Sequence, residues 1–257
     1  MSAATPVIEV IGLSKTFRRS SGRSIRELIM HPGSQNSSLS RFKALDNINF
    51  SIQQGEFFGI VGRNGSGKST LIHILMGSIR GDNGGVIKTR GKMIRLALGM
   101  GFDGNLNARD NIYVNGSILG LTFKRIGLIF DDIIQFAELE KFVDIPVKQY
   151  SSGMLSKLKF AIAVHAEADI FLMDEYFGGV GDMSFQEKSE RVFKERLLNG
   201  RTIIHVSHNL NTIKEFCNRV LILDKGQQVG IGSPSDMIPL FKERFVKSKK
   251  IKQNKHH

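Results

Sequence analysis

Residues 62–70 read GRNGSGKST, and the apolar run EFFGIV (56–61) leads straight into them. The spacing matches G-x-x-x-x-G-K-[ST] through Gly62, Gly67, Lys68 and Ser69. A polyphosphate needs several backbone N–H groups turned inward at once, so the chain around it must curl without Cβ clashes. Gly62, Gly65 and Gly67 meet that demand. Lys68 offers a cation to the β- and γ-phosphates, and the Ser69 hydroxyl is placed to ligate Mg²⁺. The context agrees. An unbroken apolar run suits a strand buried on both faces, and Leu71, Ile74, Leu75 and Ile79 recur at helical spacing after the turn. A nucleoside triphosphate site is expected here, wrapped by Gly62, Arg63, Asn64, Gly65, Ser66, Gly67, Lys68, Ser69 and Thr70.

On the N-terminal side, VIEVIGL (7–13) and NINFSI (47–52) read as strands, and the polar stretch from Arg18 to Arg41 between them reads as a surface excursion. On the C-terminal side, the region from about 105 to 165 carries apolar residues three or four apart in IYVNGSILGL, IFDDIIQFAEL and MLSKLKFAIAV, so it reads as helical throughout. Strand signals return at DIFLMD (169–174), TIIHVS (202–207), VLILD (220–224) and QQVGI (227–231), the last two joined by a DKGQ turn. SFQEKSERVFKERLL and NTIKEFC supply the helices between them. Strand–helix alternation at both ends of an all-helical stretch predicts an α/β core bearing a helical subdomain.

Three further segments carry chemistry. IFLMDE (170–175) ends an apolar strand on two carboxylates. Asp174 is suited to orient Mg²⁺ or its water, and Glu175 to accept a proton from an attacking water, although solvated acids at a strand end would read the same way. YSSGMLSKLKFAIAV (150–164) opens a helix on Ser151, Ser152 and Gly153, whose free N–H groups suit a phosphate as well as they suit a plain cap. IIHVSHN (203–209) delivers His208 beyond a strand. His205 stands three residues earlier and faces the other side of that strand, which argues against a metal pair.

Taken in order, these segments resemble the ATPases of the ABC transporter family: cradle, signature, DE pair, aspartate loop, histidine. The resemblance covers about residues 7 to 235 and implies a P-loop NTPase (RecA-like) core with an antiparallel β portion and an inserted helical subdomain. One domain over 1–245 is expected, its core at about 1–96 and 166–235, its helical subdomain at about 97–165, and a basic, disordered tail over 246–257. The family pattern makes Glu175 the catalytic base and His208 the γ-phosphate sensor, with Ser69 and Asp174 on Mg²⁺. It assigns Ser151, Ser152 and Gly153 to the ATP of a facing subunit, Asp182 to the dimer seam, and Phe17 to the adenine ring. ATP and Mg²⁺ are the implied ligands and a homodimer the implied assembly.

FKALDNINFSIQQGEFFGIVGRNGSGKST, LALGMGFDGNLNARDNIYVNGSILGL, KQYSSGM and DEYFGGVGDMSFQEKS look like the polysaccharide-export branch, which serves capsule, O-antigen or teichoic acid transport. That implies a separate multi-span permease, a lipid-linked glycan as cargo, and a peripheral position on the cytoplasmic side of a bacterial inner membrane. Transport of a small solute is the nearest alternative, and a soluble ATPase acting on nucleic acid or ribosomes a more distant one. One departure stands out. The glutamine that usually ligates Mg²⁺ between cradle and signature has no counterpart between Gln54 and Gln135, its place falling near Leu98–Gly99. Asp103 or Asn105 is the nearest polar substitute.

Composition sets the limits. One cysteine, Cys217, excludes an internal disulfide and a cysteine-rich zinc site. The start MSAATPVIEV lacks the basic-then-apolar form of a signal peptide, and no run approaches the ~20 apolar residues of a membrane helix. The net charge of +12 admits nucleic acid or anionic lipid as partners. Much of that charge sits in the tail from Lys242 to His257, read here as a solvated end, and nucleic acid is not expected.

Overall fold

The strand ahead of the glycine turn, β3 (Phe57–Gly62), is buried along its whole length. It lies inside a nine-stranded sheet whose order is β4-β1-β2-β9-β8-β3-β7-β6-β5. The computed structural model describes residues 5–19, 40–96, 99–174, 182–198 and 200–253. Its other strands are β1 (Ile8–Arg19), β2 (Ser40–Ile52), β4 (Val86–Thr89), β5 (Met93–Leu96), β6 (Ile170–Asp174), β7 (Thr202–Val206), β8 (Arg219–Asp224) and β9 (Gln227–Gly232). The helices are α1 (Lys68–Leu75), α2 (Ala108–Ile118), α3 (Phe123–Ala137), α4 (Ser152–Ala163), α5 (Met183–Val192), α6 (Leu210–Phe216) and α7 (Pro234–Gln253).

Strands β8, β3, β7, β6 and β5 run parallel, which requires every connection between them to cross over. Their side chains alternate between two hydrophobic cores. Phe57, Val61, Phe171, Met173, Ile203, Val220 and Ile222 face the core shared with α2–α4. Phe58, Ile60, Ile170, Leu172, Ile204, Leu221 and Leu223 face the one built on α1 and the β1–β2 pair. A strand period of two, with apolar residues at every position, produces both faces from one segment.

The α/β core with an antiparallel portion and a helical subdomain matches the expected class. Four details differ from the sequence reading. Strands β1 and β2 reach Arg19 and Ser40 because each extends the other by antiparallel pairing, Phe17 opposite Phe42 and Arg18 opposite Arg41. That trims the surface excursion at both ends. Strands β4 and β5 were not legible, since four residues with mixed burial carry too little pattern. The tail, expected to be disordered beyond Phe245, continues α7 to Gln253, through a run with neither glycine nor proline to stop it. The segment from 105 to 165 is broken by the turns at 119–122 and 138–151 rather than helical throughout.

Candidate nucleotide site

The bottom of the cradle is set by backbone contacts that exclude a side chain. A Cβ on Gly62 would lie 2.4 Å from Ser66 Oγ and 2.5 Å from the Leu223 carbonyl oxygen. On Gly67, whose φ is +106°, it would lie 2.7 Å from the Ala44 oxygen. The loop is held from both sides. The Ser66 carbonyl accepts from the Gly226 N–H at 2.9 Å, and the Gly226 carbonyl accepts from the Asp46 N–H at 2.8 Å. Thus β2 and the β8–β9 turn clamp residues 62–67 from outside.

The inside of the loop presents donors. Helix α1 starts at Gly67 with no side-chain cap and no acid in its first turn, which leaves its amide ends and the positive end of its dipole uncompensated. Lys68 Nζ donates to the Gly62 and Arg63 carbonyls at 2.6 and 3.1 Å, so the ammonium lies across the loop mouth. Ser66 is only 2% exposed and its Oγ has no hydrogen-bond partner. An orphan hydroxyl, uncapped amides and a cation around a turn too tight for Cβ atoms fit a polyphosphate. Arg63, Asn64, Gly65 and Ser69 are exposed around that mouth, and Thr70 is half-buried.

The register brings the other strand ends to the same edge. Val206 is level with Ile60 of β3 on one side and with Asp174 of β6 on the other. Asp174 therefore closes β6 within two strands of the cradle. Its side chain and Glu175 lie outside the described residues. His208 follows two residues past β7 and is exposed. His205 is fully buried instead, with Nε2 3.2 Å from Thr212 Oγ1 and its ring edge-on to Phe57. The two histidines have separate environments, and no metal-binding group of three appears among the described residues.

The expected partner-facing residues sit at two helix starts, Ser151–Gly153 in the helical subdomain and Asp182 after β6. Ser151 is the N-cap of α4, its Oγ accepting from the Met154 N–H at 3.1 Å, while Ser151 and Ser152 are exposed and Gly153 half-buried. Asp182 is the N-cap of α5, accepting from the Phe185 N–H at 3.0 Å and the Ser184 hydroxyl at 2.9 Å. Its other oxygen is 2.9 Å from Lys157 Nζ. The Lys157 ammonium, then the Phe185 amide and the Ser184 hydroxyl, hold the Asp182 carboxyl far below the usual range. Phe17 is 39% exposed, hence no core residue, and Lys15 Nζ stands 5.5 Å from its ring centre.

At the missing glutamine, residues 97 and 98 lie outside the described residues. The Lys159 side chain crosses Gly99 so closely that a Cβ there would meet its Cε at 2.6 Å. Asp103 and Asn105 are engaged locally: Asp103 Oδ1 accepts from the Asn105 backbone N–H at 2.9 Å and from its side-chain amide at 3.2 Å, and Asn105 Oδ1 accepts from Lys148 at 3.2 Å. The sequence reading missed Asn111. Fully buried, it accepts from the Asp103 N–H and donates to the carbonyls of Asp103, Leu106 and Asn107, pinning the loop that starts α2. The available signal was weak, because the buried face of α2 carries a second asparagine, Asn115, beside Ala108, Ile112 and Gly116.

Residues 45–178 match the ABC transporter family. The teichoic acids export ATP-binding protein TagH of Lactococcus lactis is 43% identical over 91% of this chain, which spans 50% of that relative's length. The O-antigen export system ATP-binding protein RfbB of Klebsiella pneumoniae is 37% identical over 94% of this chain and 99% of its own. Among solved structures, the ATP-binding cassette MJ0796, a dimer in a post-hydrolysis state with ADP and Pi, aligns at a TM-score of 0.62 and 20% identity. It covers 88% of this chain and 98% of the other. The ATP-binding subunit of another ABC transporter gives 0.65 at 19%, covering 93% and 95%.

Proposed function

The chain belongs to the ABC transporter family, and from that premise we propose that it is the ATP-hydrolysing subunit of an exporter for a lipid-linked polysaccharide. The cradle carries the reading: Gly62 and Gly67 admit no Cβ, Ser66 Oγ is buried without a partner, and α1 is left uncapped. Such a loop is organised around an anion before any anion arrives. The names of the relatives support the cargo. Both the O-antigen and the teichoic acid proteins export glycans, and the O-antigen protein is matched over nearly its full length.

Two subunits then face each other, each with ATP on Gly62–Thr70. Ser69 and Asp174 would hold Mg²⁺, which would supply charge neutralisation on the phosphates. Ser151, Ser152 and Gly153 at the start of α4 turn their amides to the partner's γ-phosphate. Glu175 orients water and takes its proton, and His208 contacts the γ-phosphate from the end of β7. Phe17 offers its exposed ring to adenine, and Asp182 lies along the seam. Asp103 and Asn105, bound to each other and to Lys148, stay with the helical subdomain.

A separate multi-span permease would supply the membrane part of the transporter, a reading supported by relatives named as ATP-binding proteins of export systems; no helix of the described residues is long and apolar enough to cross a bilayer. The subunit would sit on the cytoplasmic face of the inner membrane through that permease. Gentle solubilisation of native membranes, capture of this chain and mass spectrometry of its companions tests the proposal. A stoichiometric multi-span permease with glycan-lipid is expected. A permease carrying a small solute would overturn the cargo, and recovery of ribosomes or DNA without any membrane protein would overturn the transporter.

A further inference from the structure

We propose that Lys157 is a positioning residue that ties the signature end of α4 to the Asp182 loop of the same subunit, so that both close on the partner as one body. The inference rests on the function proposed above, in which Ser151–Gly153 and Asp182 meet a facing subunit.

Lys157 lies one and a half turns into α4 from Ser152, with a side chain only 12% exposed. Its Nζ is 2.6 Å from Glu138 Oε2 and 2.9 Å from Asp182 Oδ2. Glu138 is the C-cap of α3, at a φ of +61°, and Asp182 is the N-cap of α5. One ammonium from the middle of α4 therefore joins two helix ends. Lys188 of α5 completes the node, 3.6 Å from Glu138 Oε1 and donating to the Phe136 carbonyl at 2.9 Å. The rings of Phe136, Phe160 and Phe185 pack on one another beneath it, and Lys157 Nζ is 5.0 Å from the centre of Phe185. A floor of that kind keeps water from one side of the charges and weakens screening.

Both oxygens of Asp182 are committed, Oδ1 to the α5 cap and Oδ2 to Lys157, so the carboxylate has a set orientation while staying on the surface. Burial pushes the Lys157 ammonium down, but the hydrogen bonds and charges of Glu138 and Asp182 outweigh it and leave its pKa raised. The pair is charged across the neutral range. Along the chain, α4 and Asp182 are separated by β6 and the segment after it, whereas the ion pair joins them directly. A displacement of α4 is thus passed to the residue that starts α5 without travelling through the sheet.

The test uses the full chain and four variants: Lys157→Met, Lys157→Arg, Asp182→Asn and the Met/Asn double. Nucleotide binding is read with a fluorescent ATP analogue, turnover as kcat and KM, and ATP-driven dimerisation in the Glu175→Gln background. Lys157→Met is expected to bind nucleotide normally, to lose about tenfold in kcat with little change in KM, and to dimerise weakly. Lys157→Arg should recover most of the turnover. The double variant should be no worse than either single one, because both remove the same link. Full turnover of Lys157→Met, additive losses in the double variant, or no recovery with arginine would overturn the proposal. If Lys157→Met fails to fold, Lys157→Gln takes its place: full turnover refutes the link, and reduced kcat with normal nucleotide binding, recovered in Lys157→Arg, supports it. Absence of dimerisation in Glu175→Gln itself would count against the proposed function, and the kcat comparison would still judge Lys157.

Discussion

At Gly62 a single added carbon decides whether the cradle exists. Its Cβ would collide with the Leu223 backbone oxygen at 2.5 Å, and a backbone atom in the sheet has nowhere to go. Gly62→Ala is therefore expected to cost ~1–3 kcal/mol of stability through overpacking and to abolish nucleotide binding. Thermal unfolding and titration with a fluorescent ATP analogue check the two parts separately; a variant that binds normally would refute the cradle. Gly65 differs, because a Cβ there meets nothing within 4 Å and the demand is only for its φ of +77°. Both glycines were legible in the motif, but the reason for each was not. Contact with Leu223 comes from a strand 161 residues later, and sequence spacing does not record it. The lone cysteine, Cys217, is buried beside Gly59, and burial pushes its thiol up to about 12.

At the scale of elements, the start of α2 depends on one buried side chain. Asn111 makes four hydrogen bonds to the backbone of residues 103, 106 and 107, while Asn107 caps the helix by accepting from the Asp110 N–H at 2.9 Å. Asn111→Leu removes those partners from polar groups that a leucine cannot satisfy, at a cost of ~1–3 kcal/mol. Faster amide exchange is expected at Asp103 and through the loop to Asn107, with the cradle unchanged. Uniform acceleration over the whole chain would show that Asn111 supports the fold at large and not this loop. The helices themselves were readable because their apolar residues recur at the helical period. Strands of four residues such as β4 and β5 were not, and neither were the breaks at 119–122 and 138–151, which follow from how the subdomain turns back on itself.

At the scale of the whole molecule, the parallel strands set Gly62, Asp174 and the residues leading to His208 along one edge, and Ser151 starts a helix of the helical subdomain. In the proposed dimer that cap meets the nucleotide of a second copy, which would make ATP part of the interface. Glu175→Gln should then accumulate as a dimer with ATP and Mg²⁺, seen by light scattering, and revert to monomer after the nucleotide is removed. A variant that stays monomeric, or that keeps full turnover, would rule Glu175 out as the base. The sequence by itself determined the phosphate cradle, the order of its companion motifs and the alternation of strands with helices, since each is written in neighbouring residues and their period. Only the tertiary structure decided that Ser66 is orphaned, that Leu223 and Ala44 close the cradle, and that Lys157 joins α4 to Asp182. Those are contacts between segments far apart in the chain, and they exist only once the sheet has fixed which strand lies beside which.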